Sequence, residues 1–309
     1  MNDQQDKKSS IFFPIKGFIA VGLLHIIYWL PSSVTHAAGR LIGKLAFQLS
    51  ARKRNIILTN LSIAFPDIPQ QEKLSLAKES AIQSGLLISE FPDVWLGSRR
   101  EIEQQIVGIK SAELVTQIRK NSQPLVIIAP HIGNWEFLVQ WVQLNYPMIG
   151  LYSPSKIIQV DRLIYNARKK FGCKPYSTDA KGIMQLLRGL KQGGLMMMLP
   201  DQVPRENAGI YAPFFGKPAY TMTLLHKLVI KSNAKVLFAN CIRRQDKTGF
   251  DIEFETANFD TSEADVAVFN LAMNQQIEGI VRRYPTQYVW DYKRFRRQPD
   301  GSNPYAENL

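Results

Sequence analysis

The chain is poor in residues that make several common chemistries easy. Only two of its 309 residues are cysteines, Cys173 and Cys241. They form no C-x-x-C pair and have no histidine at metal-clip spacing, which argues against a zinc site; so few thiols fit a reducing compartment or a protein that does not rely on disulfides. No metal and no cofactor is expected. The G-x-S-x-G elbow, the phosphate-binding P-loop, the G-x-G-x-x-G fingerprint and H-E-x-x-H are all missing. Gly39 to Lys44 comes nearest to a P-loop, but it is one residue short and has Leu45 where Ser or Thr is required. There is no internal repeat and no low-complexity linker. Acids are scarce too: 26 Asp and Glu stand against 38 Lys and Arg, a net charge of +12. A surface that basic suits nucleic acid, anionic lipid or an acidic carrier protein, or belongs to a merely soluble basic protein. Nucleic acid is the weakest of the specific partners, because no recognisable reading helix or aromatic-interleaved basic strand is present. Hydrophobic residues make up 45%, enough for a sizeable core.

Long apolar runs are also lacking, with one partial exception. Gly17 to Gly39 holds no Lys, Arg, Asp or Glu, and its centre, Phe18 to Leu30, is almost wholly apolar. A spanning helix needs about 20 apolar residues, and Pro31 ends this run early. It is compatible with a short span, an interfacial helix, a buried helix or a cleaved signal peptide ending near Thr35-His36-Ala37. Tyr28 and Trp29 suit a headgroup boundary. Lys7, Lys8 and Lys16 precede the run and Arg40 and Lys44 follow it, so charge does not set an orientation. Residues 1–39 are read as an anchor segment and 40–309 as the catalytic domain. The first ten residues and the tail Gly301 to Leu309 read as frayed ends.

The rest alternates. Helical patterns cover Ala37 to Ser62, Pro69 to about Glu90, and Glu101 to Lys120. Buried-strand patterns begin with Leu125-Val126-Ile127-Ile128-Ala129 and recur at Met148–Leu151, Leu195–Leu199, Val236–Ile242 and Tyr288–Trp290. Between most of them lie helical stretches at Asn134–Leu144, Val160–Phe171, Lys181–Lys191, Thr221–Ser232 and Val266–Arg283. This predicts an α/β fold with a central, mostly parallel or mixed sheet flanked by helices. Sites in such folds form beyond the carboxyl ends of strands, which singles out the residues after Ala129 and after Leu199.

After Ala129 the chain reads Pro130-His131-Ile132-Gly133-Asn134-Trp135-Glu136-Phe137. Gly133 permits a tight turn, Asn134 is a good N-cap, and Glu136 falls in the first helical turn. A carboxylate folded back on one ring nitrogen of His131 would fix its tautomer and leave the other free to take a proton. That pair activates a hydroxyl. With 26 acids in the chain the His-x4-Glu spacing decides little by itself; its place at a strand end is what gives it weight. Asp201 and Gln202 follow the Leu195–Leu199 strand, as site residues or as a plain turn. Arg168, on a helix crowded with Arg162, Lys169 and Lys170, is a fork for phosphate or carboxylate or one charge on a solvated face. Phe215 and Gly216 offer an apolar wall with a close-approach glycine, or belong to the core. Arg294, with Arg296 and Arg297, forms a basic cluster facing acidic lipid or carrier, or only solvent.

The block PHIGNWE (130–136) resembles the signature of the lysophospholipid acyltransferase-like superfamily. More narrowly it resembles the late lauroyl/myristoyl acyltransferases of bacterial lipid A synthesis. NLSIAFP (60–66), DRLIYNARKKFG (161–172), LPDQ (199–202), PFFGKPAYT (213–221) and QYVWDYKRFRRQP (287–299) are similar to that family's further blocks, in its order, over nearly the whole chain. Where the family's acid is often Asp this chain has Glu136, and Tyr292 and Lys293 stand where His and Arg are usual. The resemblance implies the acyltransferase fold with an N-terminal membrane-binding helix. It implies His131 and Glu136 as the catalytic pair, and Arg168, Asp201, Gln202, Phe215, Gly216 and Arg294 as substrate-binding residues. The donor it implies is acyl carrier protein, and the acceptor a hydroxyl of a hydroxyacyl chain on a lipid A precursor, at the cytoplasmic face of the inner membrane among anionic lipids. A sister enzyme acting on another glycolipid or a glycerophospholipid is one alternative; a non-catalytic membrane-binding protein is the other.

Overall fold

Pro31 lacks the N–H that would carry a helix forward, and it stands between the first two helices. In a computed structural model of the chain, which describes residues 17–246 and 249–306, α1 covers residues 17–28 and α2 begins just after the proline, at Ser32–Leu49. The polar start of the chain, with Lys7, Lys8 and Lys16, lies outside the described residues, as do residues 307–309. The single helix expected from Ala37 to Ser62 is two. Ser50 leaves the helical backbone and accepts a hydrogen bond from the Lys53 N–H, so it ends α2 and caps α3 (Ala51–Ala64). Next, α4 (Gln70–Leu96) runs past its expected end at Glu90 and through Pro92, which removes only one ladder bond. That extra turn carries Trp95 to the site.

Glu101 to Lys120 is not one helical region. Ser98 and Glu101 form a capping box for α5 (Arg99–Gln105). The chain then extends as edge strand β1 (Ile106–Lys110) before α6 (Ala112–Lys120). From there strands and helices alternate, with β4 added to those the pattern implies: β2 (Leu125–Ile128), α7 (Trp135–Asn145), β3 (Met148–Tyr152), α8 (Ile158–Lys169), β4 (Lys174–Ser177), α9 (Ala180–Lys191) and β5 (Leu195–Met198). A hairpin of β6 (Gly209–Phe214) and β7 (Lys217–Met222) follows. After it come α10 (Leu224–Ser232), β8 (Lys235–Arg243), β9 (Phe250–Thr256) and α11 (Val266–Arg283). Tyr288–Trp290 is not a strand; Tyr288 makes one isolated antiparallel bridge to Ile132.

The main sheet has seven strands in the order β1-β9-β8-β2-β5-β3-β4. All neighbours are parallel except β8 and β9. The helices bury both faces. Val126, Ile128, Met196 and Phe238 point to the face covered by α3, α9, α10 and α11. Leu125, Ile127, Leu195 and Leu237 point to the face covered by α5, α6 and α7. Alternation along each strand is what divides one sheet between two cores. The tail is not frayed as far as Tyr305. That ring is buried, and its hydroxyl donates to Asn60 Oδ1 at 2.6 Å and accepts from the Phe295 N–H.

α2 lies directly against α4. Gly39 and Gly43 face Gly85 and Ala81 so closely that a Cβ at any of the three glycines would overlap the opposite backbone. Residue 39, the expected end of the anchor, therefore falls inside a helix packed on the body. No helix among the described residues is long and apolar enough to cross a membrane. α1, the turn after it and the outer face of α2 instead leave large apolar side chains uncovered: Phe18, Ile19, Leu23, Ile26, Trp29, Leu41, Ile42 and Leu49, with Trp29 80% exposed.

Candidate active site

β2 and β5 are adjacent and parallel, so the loops leaving their carboxyl ends lie side by side. One carries His131 and the other Asp201. Asp201 is 1% exposed and meets the histidine twice, through the His131 backbone N–H at 2.9 Å and ring Nδ1 at 2.7 Å. Nδ1 then carries the proton that it donates to the carboxylate, and Nε2 is left with its lone pair. Burial by itself would raise the Asp201 carboxyl, but the attraction of His131 once its ring is protonated and the hydrogen bonds it donates, with Arg294 beyond, outweigh it and hold the group below the usual carboxylate range. Burial, with the Asp201 charge close by, pushes the Tyr288 hydroxyl well above the usual phenol range. Trp135 meets the imidazole edge-to-face at 4.8 Å.

Glu136 is not the partner of His131. Its Oε1 accepts from Arg168 Nη2 at 2.5 Å and its Oε2 from Trp95 Nε1 at 3.3 Å. The first turn of α7 directs it towards α8 and the end of α4, away from the ring, while Asp201 arrives from the neighbouring strand. The carboxylate expected from within the block is supplied from outside it. Arg168 is correspondingly paired rather than a free surface charge.

The His131 loop is stitched in place. Gly133 has φ +58°, and a Cβ on it would overlap the Cys241 carbonyl, so only glycine fits. Its N–H donates to Gln287, the Asn134 N–H to Cys241, and the Val289 N–H to His131. The Asn134 side chain accepts from Phe137 N–H, capping α7, and donates to Glu90 at 2.8 Å. Glu90, 1% exposed, is gripped in turn by Arg243 through Nε at 2.7 Å and Nη2 at 2.5 Å. Arg243 also donates to Gln83. His36 of α2 stands 3.6 Å from Glu90; burial pulls its imidazole below the ordinary range despite that neighbour.

A mainly apolar cavity of about 460 Å³ is walled by residues of β3, β4, β5, α7 and α8; His131 and Asp201 do not line it, but Glu136, on the segment that follows His131, and Leu199, two residues before Asp201, do. Glu136, Arg168 and Trp95 form its polar side, and Met148, Cys173, Met197 and Leu199 are among its apolar walls. Among the described residues no group of three or more His, Cys, Asp or Glu side chains converges so as to hold a metal ion.

Of the expected substrate-binding residues, Arg168 lines this cavity and Asp201 belongs to the dyad. Gln202 is half-buried next to Asp201 and does not line the cavity. Phe215 and Gly216 are the two left-handed residues of the β6–β7 turn, at φ 48° and 73°. The phenyl ring turns inward onto Phe65 and Trp290, away from the dyad, and Gly216 faces solvent. Arg294 is not a surface cation. It is 2% exposed, donates to the Tyr220 carbonyl and Thr221 Oγ1, and so cannot meet lipid or carrier. Burial lowers its pKa, with Tyr288 and Asp201 opposing. Trp95, Glu90, Arg243 and Tyr288 had no local signal. Each sits far in sequence from the loop it serves, and only the Glu90–Arg243 charge pair was of a type that pairing arguments could have searched.

The family model for bacterial lipid A biosynthesis acyltransferases matches residues 4–297. The Escherichia coli (strain K12) lipid A biosynthesis lauroyltransferase is 23% identical, with 92% of each chain covered. A Haemophilus influenzae lipid A biosynthesis acyltransferase is 24% identical over 93% of this chain and 92% of its own. The E. coli lipid A biosynthesis myristoyltransferase is 22% identical over 85% of this chain and 82% of its own. With a match that runs through the His131 loop, the cavity strands and the segment holding Tyr288, the chain belongs to the bacterial lipid A biosynthesis acyltransferase family.

Proposed function

We propose that the chain moves a fatty acyl group from acyl carrier protein to a hydroxyl of a hydroxyacyl chain on a lipid A precursor, with His131 as general base. The observation that carries the chemistry is the His131 ring, fixed by buried Asp201, on two loops whose neighbouring residues Glu136 and Leu199 line a mainly apolar cavity. The acyl tail lies in the cavity with its thioester near Glu136 and Arg168. His131 Nε2 takes the acceptor hydroxyl proton as the oxygen attacks the thioester carbonyl; the C–S bond then breaks, and the proton passes to the departing thiolate. Among the described residues no serine or cysteine side chain hydrogen-bonds to the His131 ring, which favours direct transfer over an acyl-enzyme. The net charge of +12 suits an acidic carrier and a phosphorylated acceptor. Comparing lipid A masses from cells with and without the gene tests the reading. The strain without it should lack one or more acyl chains; identical lipid A would refute it.

The exposed apolar side chains of α1 and α2, with Arg40, Lys44, Arg52 and Lys53 nearby, support a surface seated on the cytoplasmic leaflet. Deleting residues 1–31, which leaves α2 on α4, should keep a cooperative melt and weaken co-sedimentation with anionic vesicles. Undiminished binding would place the membrane contact elsewhere.

Arg168 pairs with Glu136 at the cavity wall, so it orients the donor thioester rather than an acceptor phosphate. A lysine cannot reproduce the planar fork. Arg168→Lys should raise the donor KM several-fold more than the acceptor KM. A rise confined to the acceptor would restore the phosphate-binding role.

A further inference from the structure

The cavity has two levels that the strands define. β3 runs parallel to β4 and β5, so their carboxyl ends share one edge of the sheet. Tyr152, Ser153 and Leu199 line the cavity at that edge, the edge of the His131 and Asp201 loops. Met148 and Cys173 line it at the opposite, amino ends of β3 and β4. From residue 152 back to 148 is about 13 Å at the rise of a strand, a depth suited to an extended alkyl chain. Alternation puts residues 148, 150 and 152 on one face of β3, and all three line the cavity, joined near the carboxyl end of the strand by Leu151 from the other face.

Gly150 is the midpoint of that descent, in register with the lining residue Pro175. A Cβ built on it meets nothing nearer than Cys173 Sγ at 3.8 Å, an ordinary contact. Its φ is not positive either, so neither space nor backbone requires a glycine there. The room at mid-depth exists because this position carries no side chain. Burial pushes the Cys173 thiol up to about 11, with Arg168 only partly opposing, so it is a neutral wall group.

We propose that Gly150 sets the length of acyl chain the enzyme accepts, with Met148 and Cys173 closing the floor. This rests on the acyl-transfer reading of the cavity. Gly150→Val places three carbons in the path of the chain, and Gly150→Ala one; Met148→Ala deepens the floor. Each methylene that loses its place forfeits roughly fourfold in kcat/KM.

The test is a competition among acyl-carrier-protein thioesters of graded chain length, with the full chain and a lipid A precursor, products read by mass spectrometry. Gly150→Val should shift the short-to-long product ratio at least about tenfold towards shorter chains, by loss of about two methylenes. Gly150→Ala should move it less in the same direction, and Met148→Ala in the opposite one. If Gly150→Val gives no cooperative melt, the Ala variants decide. A wild type with a clear preference and variants that keep it unchanged would overturn this proposal alone. A wild type inert towards every thioester would overturn the acyl-transfer reading, and the proposal with it.

Discussion

Asp201→Asn should lower kcat about 10²- to 10⁴-fold, the range of general-base catalysis, with little change in either substrate's KM. The carboxylate accepts from both the backbone and the ring of His131. An amide can accept from only one of them with its oxygen; turned the other way, its NH₂ donates to Nδ1 and drives the ring proton onto Nε2, the atom that must be bare. The imidazolium formed during transfer also loses its counter-charge. His131→Ala should fall into the same range, and the double variant should be little worse than either single one, because the two side chains act as a unit. Glu136→Gln should also be severely impaired, but through Arg168. It leaves a guanidinium without its charge partner at the wall of the cavity, and its loss should include a raised donor KM; Glu136→Asp should retain more activity. Steady-state kinetics with each substrate varied in turn, alongside melting curves, separates the cases. An Asp201→Asn enzyme with near-normal turnover would remove Asp201 from the mechanism.

The second large effect is on stability. Glu90→Gln strips the counter-charge from Arg243, which is itself 7% exposed. Breaking a buried pair in this way typically destabilises by about 3–5 kcal/mol, because one charge is left uncompensated. Removing both charges, as Glu90→Gln with Arg243→Met, should recover much of that loss. Activity should not recover in parallel, since Glu90 is also the acceptor for Asn134 at the start of α7, next to the His131 loop. Thermal unfolding of the two single variants and the double variant in one detergent closes the cycle. A Glu90→Gln protein within about 1 kcal/mol of wild type would mean that the pair is not structurally important.

The two kinds of information in the chain were unequally legible. Central strands such as Leu125–Ile128 announce themselves because both faces are buried and every position is apolar. Edge strands do not. Lys174–Ser177 contains a proline and has partners on one side only, and Ile106–Lys110 is five residues between two helices. Phe250–Thr256 does carry a strict apolar/polar alternation, which could have revealed it. At the site, His131, Gly133 and Asn134 were readable because their roles are local: a strand end, a left-handed turn, a cap. The partner of His131 was not, because hydrogen bonding across 70 residues depends on which strands are neighbours. A near acid in the same block drew the assignment to Glu136. Arg294 misled for a related reason: its neighbours Arg296 and Arg297 suggested a solvated run, whereas a guanidinium satisfied by Tyr220 and Thr221 can be buried.

The most direct measurement is the mass of both acceptor and enzyme after purified protein is mixed with an isotope-labelled acyl-carrier-protein thioester and a lipid A precursor. Direct transfer with His131 as base predicts that the acceptor gains the labelled acyl group while the enzyme's own mass stays unchanged throughout. With His131→Ala, folded as judged by melting, the same gain should be slower by at least about 10²-fold. A labelled acyl-enzyme that forms and decays at the rate of turnover, or a His131→Ala variant that matches the wild type, would contradict it.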